Sequence, residues 1–148
     1  MMRFTFVLTV LLSMTGAHAG HDMATTRVFH TDISAAHMTN FTPSSGAGEG
    51  EFVLDLPTLT VTYNVTFKGL TSSPTSVYLH GPAHPGTNAP RMISLAPTGK
   101  VTSPLKGKVK VTESQVQYML QGWVYVIIAT EKNPAGEVRG KFETVPPY

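Results

Sequence analysis

Between Thr58 and Phe67 the chain alternates strictly. Leu59, Val61, Tyr63, Val65 and Phe67 are apolar, and Thr58, Thr60, Thr62, Asn64 and Thr66 are polar. Side chains on a strand point alternately to opposite faces, so this pattern predicts a strand with one face in a core and a threonine-rich face in water. Weaker versions of the signal predict strands at Arg27–Ile33, Glu51–Leu56, Ser76–His80, Arg91–Leu95 and Glu137–Phe142. Lys106, Lys108 and Lys110 alternate with Gly107, Val109 and Val111, the pattern of an exposed edge strand that charge protects from pairing with another chain. Val124–Thr130 is continuously apolar and reads as a central strand buried on both faces. One segment has a helical period. Thr112 begins a capping box with Gln115, Val116, Met119, Leu120 and Trp123 follow at i, i+3, i+4 and i+7, and Gly122 can end the helix, predicted over about 113–121.

The joins are turn-forming. Pro43–Gly50 reads as a Ser/Gly loop, Gly81–Pro90 as a Gly/Pro loop, and Asn133-Pro-Ala-Gly136 as the turn of a hairpin joining Val124–Thr130 to Glu137–Phe142. Many short strands and one helix predict a mainly β fold, a Greek-key sandwich or barrel.

The first nineteen residues do not belong to that domain. Arg3 precedes an apolar stretch from Phe4 to Met14 and a small-x-small site at Ala17-His18-Ala19, the order of a secretory signal peptide. As a helix the apolar stretch would reach only about 16 Å, half a hydrocarbon core, which argues against a lasting membrane anchor. The division expected is a signal peptide over 1–19, a polar leader over 20–26 and one domain over 27–148, enough chain for a single core.

Composition then removes whole classes of function. Eleven Lys+Arg stand against nine Asp+Glu, a net charge of +2 that falls by one when Arg3 is removed, so no field suits nucleic acid or an anionic membrane. With no cysteine there are no disulfides, no thiol nucleophile and no thiolate metal site. No Gly-x-Ser-x-Gly, phosphate-binding Gly loop or His-Glu-x-x-His is present. Asn40-Phe-Thr42 and Asn64-Val-Thr66 fit the glycosylation sequon.

Two segments carry a resemblance. His80-Gly-Pro-Ala-His-Pro-Gly-Thr-Asn-Ala-Pro90 is similar to the CHRD (chordin-type) motif in which a strand ends in His-x-His-Gly-Pro-Ala. The run from Gly122 through Asn133-Pro-Ala-Gly-Glu-Val-Arg-Gly140 resembles its second motif, Tyr-Val-Asn-x-His-Thr leading through Asn-Pro-x-Gly to Gly-Glu-x-Arg-Gly. The resemblance implies an Ig-like or superoxide-dismutase-like Greek-key sandwich, with Gly81, Pro82, Gly136, Glu137, Arg139 and Gly140 as structural motif residues. Tyr78 replaces the first His of His-x-His, and Ile127-Ile-Ala-Thr130 replaces Asn-x-His-Thr. A site built from three imidazoles would therefore keep His80 alone, which disfavours superoxide-dismutase-like redox catalysis.

The expectation is an exported, non-enzymatic binding or structural module with an extracytoplasmic ligand or protein partner and no resident cofactor. The alternative is a copper- or zinc-binding protein using His80 and His84, with a third ligand from His30, His37 or the N-terminal His21, supported by Met23 and Met38. Glu137 and Arg139, at i and i+2 on one strand, are expected to form an ion pair bracing the Gly81–Pro90 loop.

Overall fold

The computed structural model describes residues 25–146. The expected signal peptide, its expected cut before Gly20, and His21 and Met23 of the expected leader lie outside the described residues. Among the described residues nine strands form: β1 (Thr26–Ser34), β2 (Ala47–Asp55), β3 (Thr60–Lys68), β4 (Pro74–His80), β5 (Arg91–Ser94), β6 (Leu105–Lys110), β7 (Tyr125–Thr130), β8 (Val138–Lys141) and β9 (Glu143–Thr144), with one α-helix, α1 (Glu113–Leu120), before β7 and a single 3-10 turn at Ala35–His37. They make one antiparallel sheet in the order β5-β4-β7-β8-β1-β2-β3-β6, with β9 also paired to β1. The mainly β class with one helix is as expected, but two separate sheets are not seen. The ladder narrows to a single pair, Ser34 with Arg139, where β8 meets β1, because β9 takes over pairing further along β1. The sheet curls, so that Tyr63 on β3 donates its hydroxyl hydrogen bond to the Leu95 carbonyl beyond β5, at 2.7 Å.

The period-two pattern translates directly. Val61, Tyr63 and Val65 are buried and Thr62, Asn64 and Thr66 exposed. Phe67 is half-buried, as is Leu59, which stands before the strand in the left-handed region at φ 51°, within the turn between β2 and β3. β7 lies between β4 and β8, and all six of its residues are buried. β6, with its three lysines exposed, is indeed an edge. The core joins Phe29, Phe52 and Phe142, whose rings meet at 4.4 and 5.4 Å, to Val116 and Met119 of α1.

Two expectations are corrected. The Ser/Gly stretch is partly strand, since β2 starts at Ala47 and pairs along its whole length with β1 and β3. Its glycines serve close approach: a Cβ on Gly48 would lie 2.3 Å from the Thr66 carbonyl oxygen, and one on Gly50 2.6 Å from Thr31. Leu120, expected on the apolar face of the helix, is exposed, because α1 ends there. The ends of α1 otherwise follow the sequence. Thr112 and Gln115 form both bonds of the capping box, and Gly122 (φ 74°) turns the chain so that its N–H reaches Met119 and that of Trp123 reaches Tyr118.

Candidate functional site

The motif residues gather where β4, β7 and β8 meet the Gly81–Pro90 loop. Residues directly opposite in antiparallel strands share a face, so Ser76, Tyr78 and His80 of β4 lie beside Ala129, Ile127 and Tyr125 of β7, and Arg139 of β8 beside Ile127. Rings and cations interleave across this face. The Arg139 guanidinium sits 3.6 Å over the Tyr125 ring, Tyr125 stacks on His80 at 5.1 Å, His80 meets the edge of Tyr78, and Arg91 lies 4.4 Å over Tyr78.

The loop is bonded down onto this ladder. His80 Nδ1 donates to the Ala89 carbonyl at 2.9 Å, which fixes the Nδ1–H tautomer because a carbonyl only accepts. Tyr125 donates to the same carbonyl and accepts from the Ala89 N–H. Arg139 donates to the Thr87 carbonyl at 2.7 Å and to Asn88 Oδ1 at 3.0 Å, and Thr39 donates to that same amide oxygen. At the loop's start Gly81 is needed, because a Cβ there would press to 2.9 Å on the Trp123 carbonyl, and Ala83 N–H bonds to that carbonyl. Pro82 follows in a cis peptide. Burial holds His80 below the usual imidazole range; Arg91 and Arg139 push the same way and the Ala89 carbonyl opposes them.

Glu137 and Arg139 do not form the expected ion pair. Glu137 is fully buried and its carboxylate is held by neutral donors: Ser44 Oγ and the Thr71 N–H on Oε2, and Thr71 Oγ1, Thr130 Oγ1 and Asn133 Nδ2 on Oε1. Burial alone would raise its pKa, but the bonds from Thr71, Ser44 and Thr130 outweigh that and bring it to about 2. Glu137 thus ties together the segment before β2, the β3–β4 connection and the hairpin turn, while Arg139 braces the loop. With separate partners, the two should behave independently. Substituting each by Ala singly and together should give destabilisations that add within about 0.5 kcal/mol in denaturant melts, and a larger coupling would show a shared network.

The remaining motif glycines allow close contact. A Cβ on Gly136 (φ 133°) would lie 2.7 Å from Ile127, and one on Gly140 would lie 2.3 Å from Thr31 Oγ1 and 2.6 Å from the Asp32 carbonyl oxygen, where β8 meets β1.

Beside the braced loop is a cleft of about 310 Å³, whose polar lining includes Asp32, His37, His84, Arg139, Lys141 and Glu143, with Trp123 and Tyr125 as its rings. His84 meets Trp123 edge-on at 5.3 Å, and His37 Nδ1 faces the carbonyls of Asp32 and Arg139 at 3.1 and 3.2 Å. The histidines singled out in the sequence are therefore dispersed. His80 is stacked under the loop, His84 and His37 line the cleft, and His30 pairs with Glu51 at 3.7 Å. Among the described residues no three His, Asp or Glu side chains converge on a metal-sized space. The motif departures share one face with His80: Tyr78 lies opposite Ile127 and Ala129 opposite Ser76, so the places of the two other imidazoles hold packing groups.

The family model of the CHRD domain matches residues 29–142. The chain belongs to the CHRD domain family. Searches of curated proteins and of solved structures found no match. In this CHRD domain the motif residues have distinct tasks. Tyr125 and Arg139 hold the loop; Thr130, Asn133 and Glu137 close the hairpin; Gly81, Gly136 and Gly140 let segments touch. Sequence reasoning missed Ser44 and Thr71, the donors from outside the motifs. Only polarity marked them, and polarity is shared with every loop.

Proposed function

We propose that this CHRD domain is an exported, non-enzymatic binding module that works without a resident metal and presents the cleft beside its braced loop to an extracytoplasmic ligand. A structural or binding role is what the family supports, and CHRD domains occur in extracellular proteins. One observation carries the reading. The cleft wall is held by fixed partners, with Arg139, Tyr125 and His80 all bonded to the loop backbone, so the site is preformed for contact. Catalysis would call for a base within reach of a nucleophile, and His37 and His84 have a pair of carbonyls and an indole edge as their neighbours.

Export is tested on protein from the native host. The mature chain is expected to begin at Gly20, read by N-terminal sequencing or intact mass; a full-length Met1 species as the dominant form would sink the export reading. Metal is tested by calorimetric titration of the tag-free protein with copper and zinc. The expected result is no stoichiometric submicromolar site that depends on His80, and His80→Ala abolishing such binding would promote the metal-binding alternative.

A further inference from the structure

Arg139 is 95% buried, yet among the described residues no carboxylate lies within ion-pair distance of it. Among the described residues its partners are the π face of Tyr125, one carbonyl and one side-chain amide oxygen, all neutral. A buried cation without an anion is costly, and a guanidinium carries five N–H donors of which these contacts use two. Burial pulls its pKa down, with Tyr125 opposing. This cation lines the cleft, and so do two carboxylates that do not reach it. Glu143 is taken by Lys141 at 3.5 Å, and Asp32 makes no ion pair among the described residues. Formal charge in the cleft is balanced, so any anion held there is recognised locally, by the guanidinium.

We propose that the cleft binds a hexuronate, a sugar ring bearing a carboxylate, with the carboxylate on Arg139. The rest of the lining fits that ring. Asp32 and Glu143 accept hydrogen bonds from hydroxyls, which a sugar supplies and a simple aromatic acid does not. The indole of Trp123 offers an apolar wall for the C–H face of a pyranose. Lys141 adds a second donor at the same rim, and the volume of about 310 Å³ sits at the lower end of ligand sites, about 300–1,000 Å³, which suits one or two rings. Free uronic acid and one unit of an acidic polysaccharide both supply such a ring; the chemistry at Arg139 is the same. This inference rests on the cleft being the binding surface proposed above.

The test is NMR titration of the purified full chain with glucuronate, glucose, a galacturonate trimer and benzoate, each to about 10 mM, where even a millimolar site is largely filled. Expected are saturable shifts at the Trp123 indole N–H and the Arg139 Nε–H with glucuronate, and at least tenfold weaker binding of glucose. Tighter binding of the trimer than of glucuronate would identify a polysaccharide as the source, and equal binding a free acid. Arg139→Lys should abolish the preference for glucuronate over glucose, a loss of at least tenfold in the ratio of the two affinities. Should that variant fail to fold, Asp32→Asn, on an exposed side chain, should weaken glucuronate and glucose together. Equal affinity for glucose and glucuronate would overturn the carboxylate–Arg139 contact. Shifts confined to Lys106–Lys110 would overturn the location. Benzoate binding at Trp123 with no uronate response would remove the sugar and leave the cleft reading standing, whereas no response from any probe at the cleft would count against both.

Discussion

Glu137→Ala is expected to destabilise the domain by about 3–5 kcal/mol, because it empties a fully buried position and takes the shared acceptor from the donors of Ser44, Thr71, Asn133 and the buried Thr130. Glu137→Gln should recover only part of this. Donors converge on both carboxylate oxygens, so whichever position the amide nitrogen takes, a donor faces a donor. Equal stability of the Gln variant and the parent in urea melts would show that the negative charge is immaterial. The same contacts give a pH dependence. The folded pKa is depressed from 4.5 to about 2, so the stabilisation is complete above about pH 5 and is lost as pH falls toward 2. At about 1.4 kcal/mol per pH unit, that loss is about 3 kcal/mol. It should be absent in Glu137→Gln, whose acid-limb melting curve would be flatter; parallel limbs for the two proteins would assign the acid sensitivity elsewhere.

The second large effect lies in the neighbouring strand. Ile128 on β7 has no exposed surface and is held between β4 and β8. Ile128→Ala should cost about 2–5 kcal/mol, through lost transfer energy and the cavity left where flanking strands cannot collapse. Chemical denaturation with an unchanged m-value would confirm a native-state packing loss, and a cost below about 1 kcal/mol would refute the central position assigned to this strand.

The hairpin was legible before any coordinates. Val124–Thr130 is an unbroken apolar run, Asn133–Gly136 is turn chemistry, and the observed pairing sets Val126 against Gly140 and Ile127 against Arg139. Legible too were the capping box and the glycine stop of α1, since each is a local geometry written within about six residues. The Ser/Gly stretch misled because composition reports flexibility, while Gly48 and Gly50 are there for closeness to β1 and β3, a property of other segments. The Glu137–Arg139 pair misled for a related reason. Spacing brings two opposite charges near one another, but each found nearer partners contributed by remote loops, and a carboxylate with five donors gains little from a distant cation.

What the sequence determined by itself is what short-range physics governs: the alternation that makes β3 half-buried, the helix caps, the turns, and the CHRD motif letters that mark the family. What only the tertiary structure decided is where separate segments converge. The curl of the sheet, the donors from Ser44 and Thr71 to Glu137, and the cleft that places Asp32, His84, Trp123 and Arg139 side by side depend on strand order, in which residues about fifty to a hundred positions apart become neighbours. No local pattern encodes that order, because hydrogen-bonded pairing rewards any well-matched strands, and the choice among them is made by how the whole core packs.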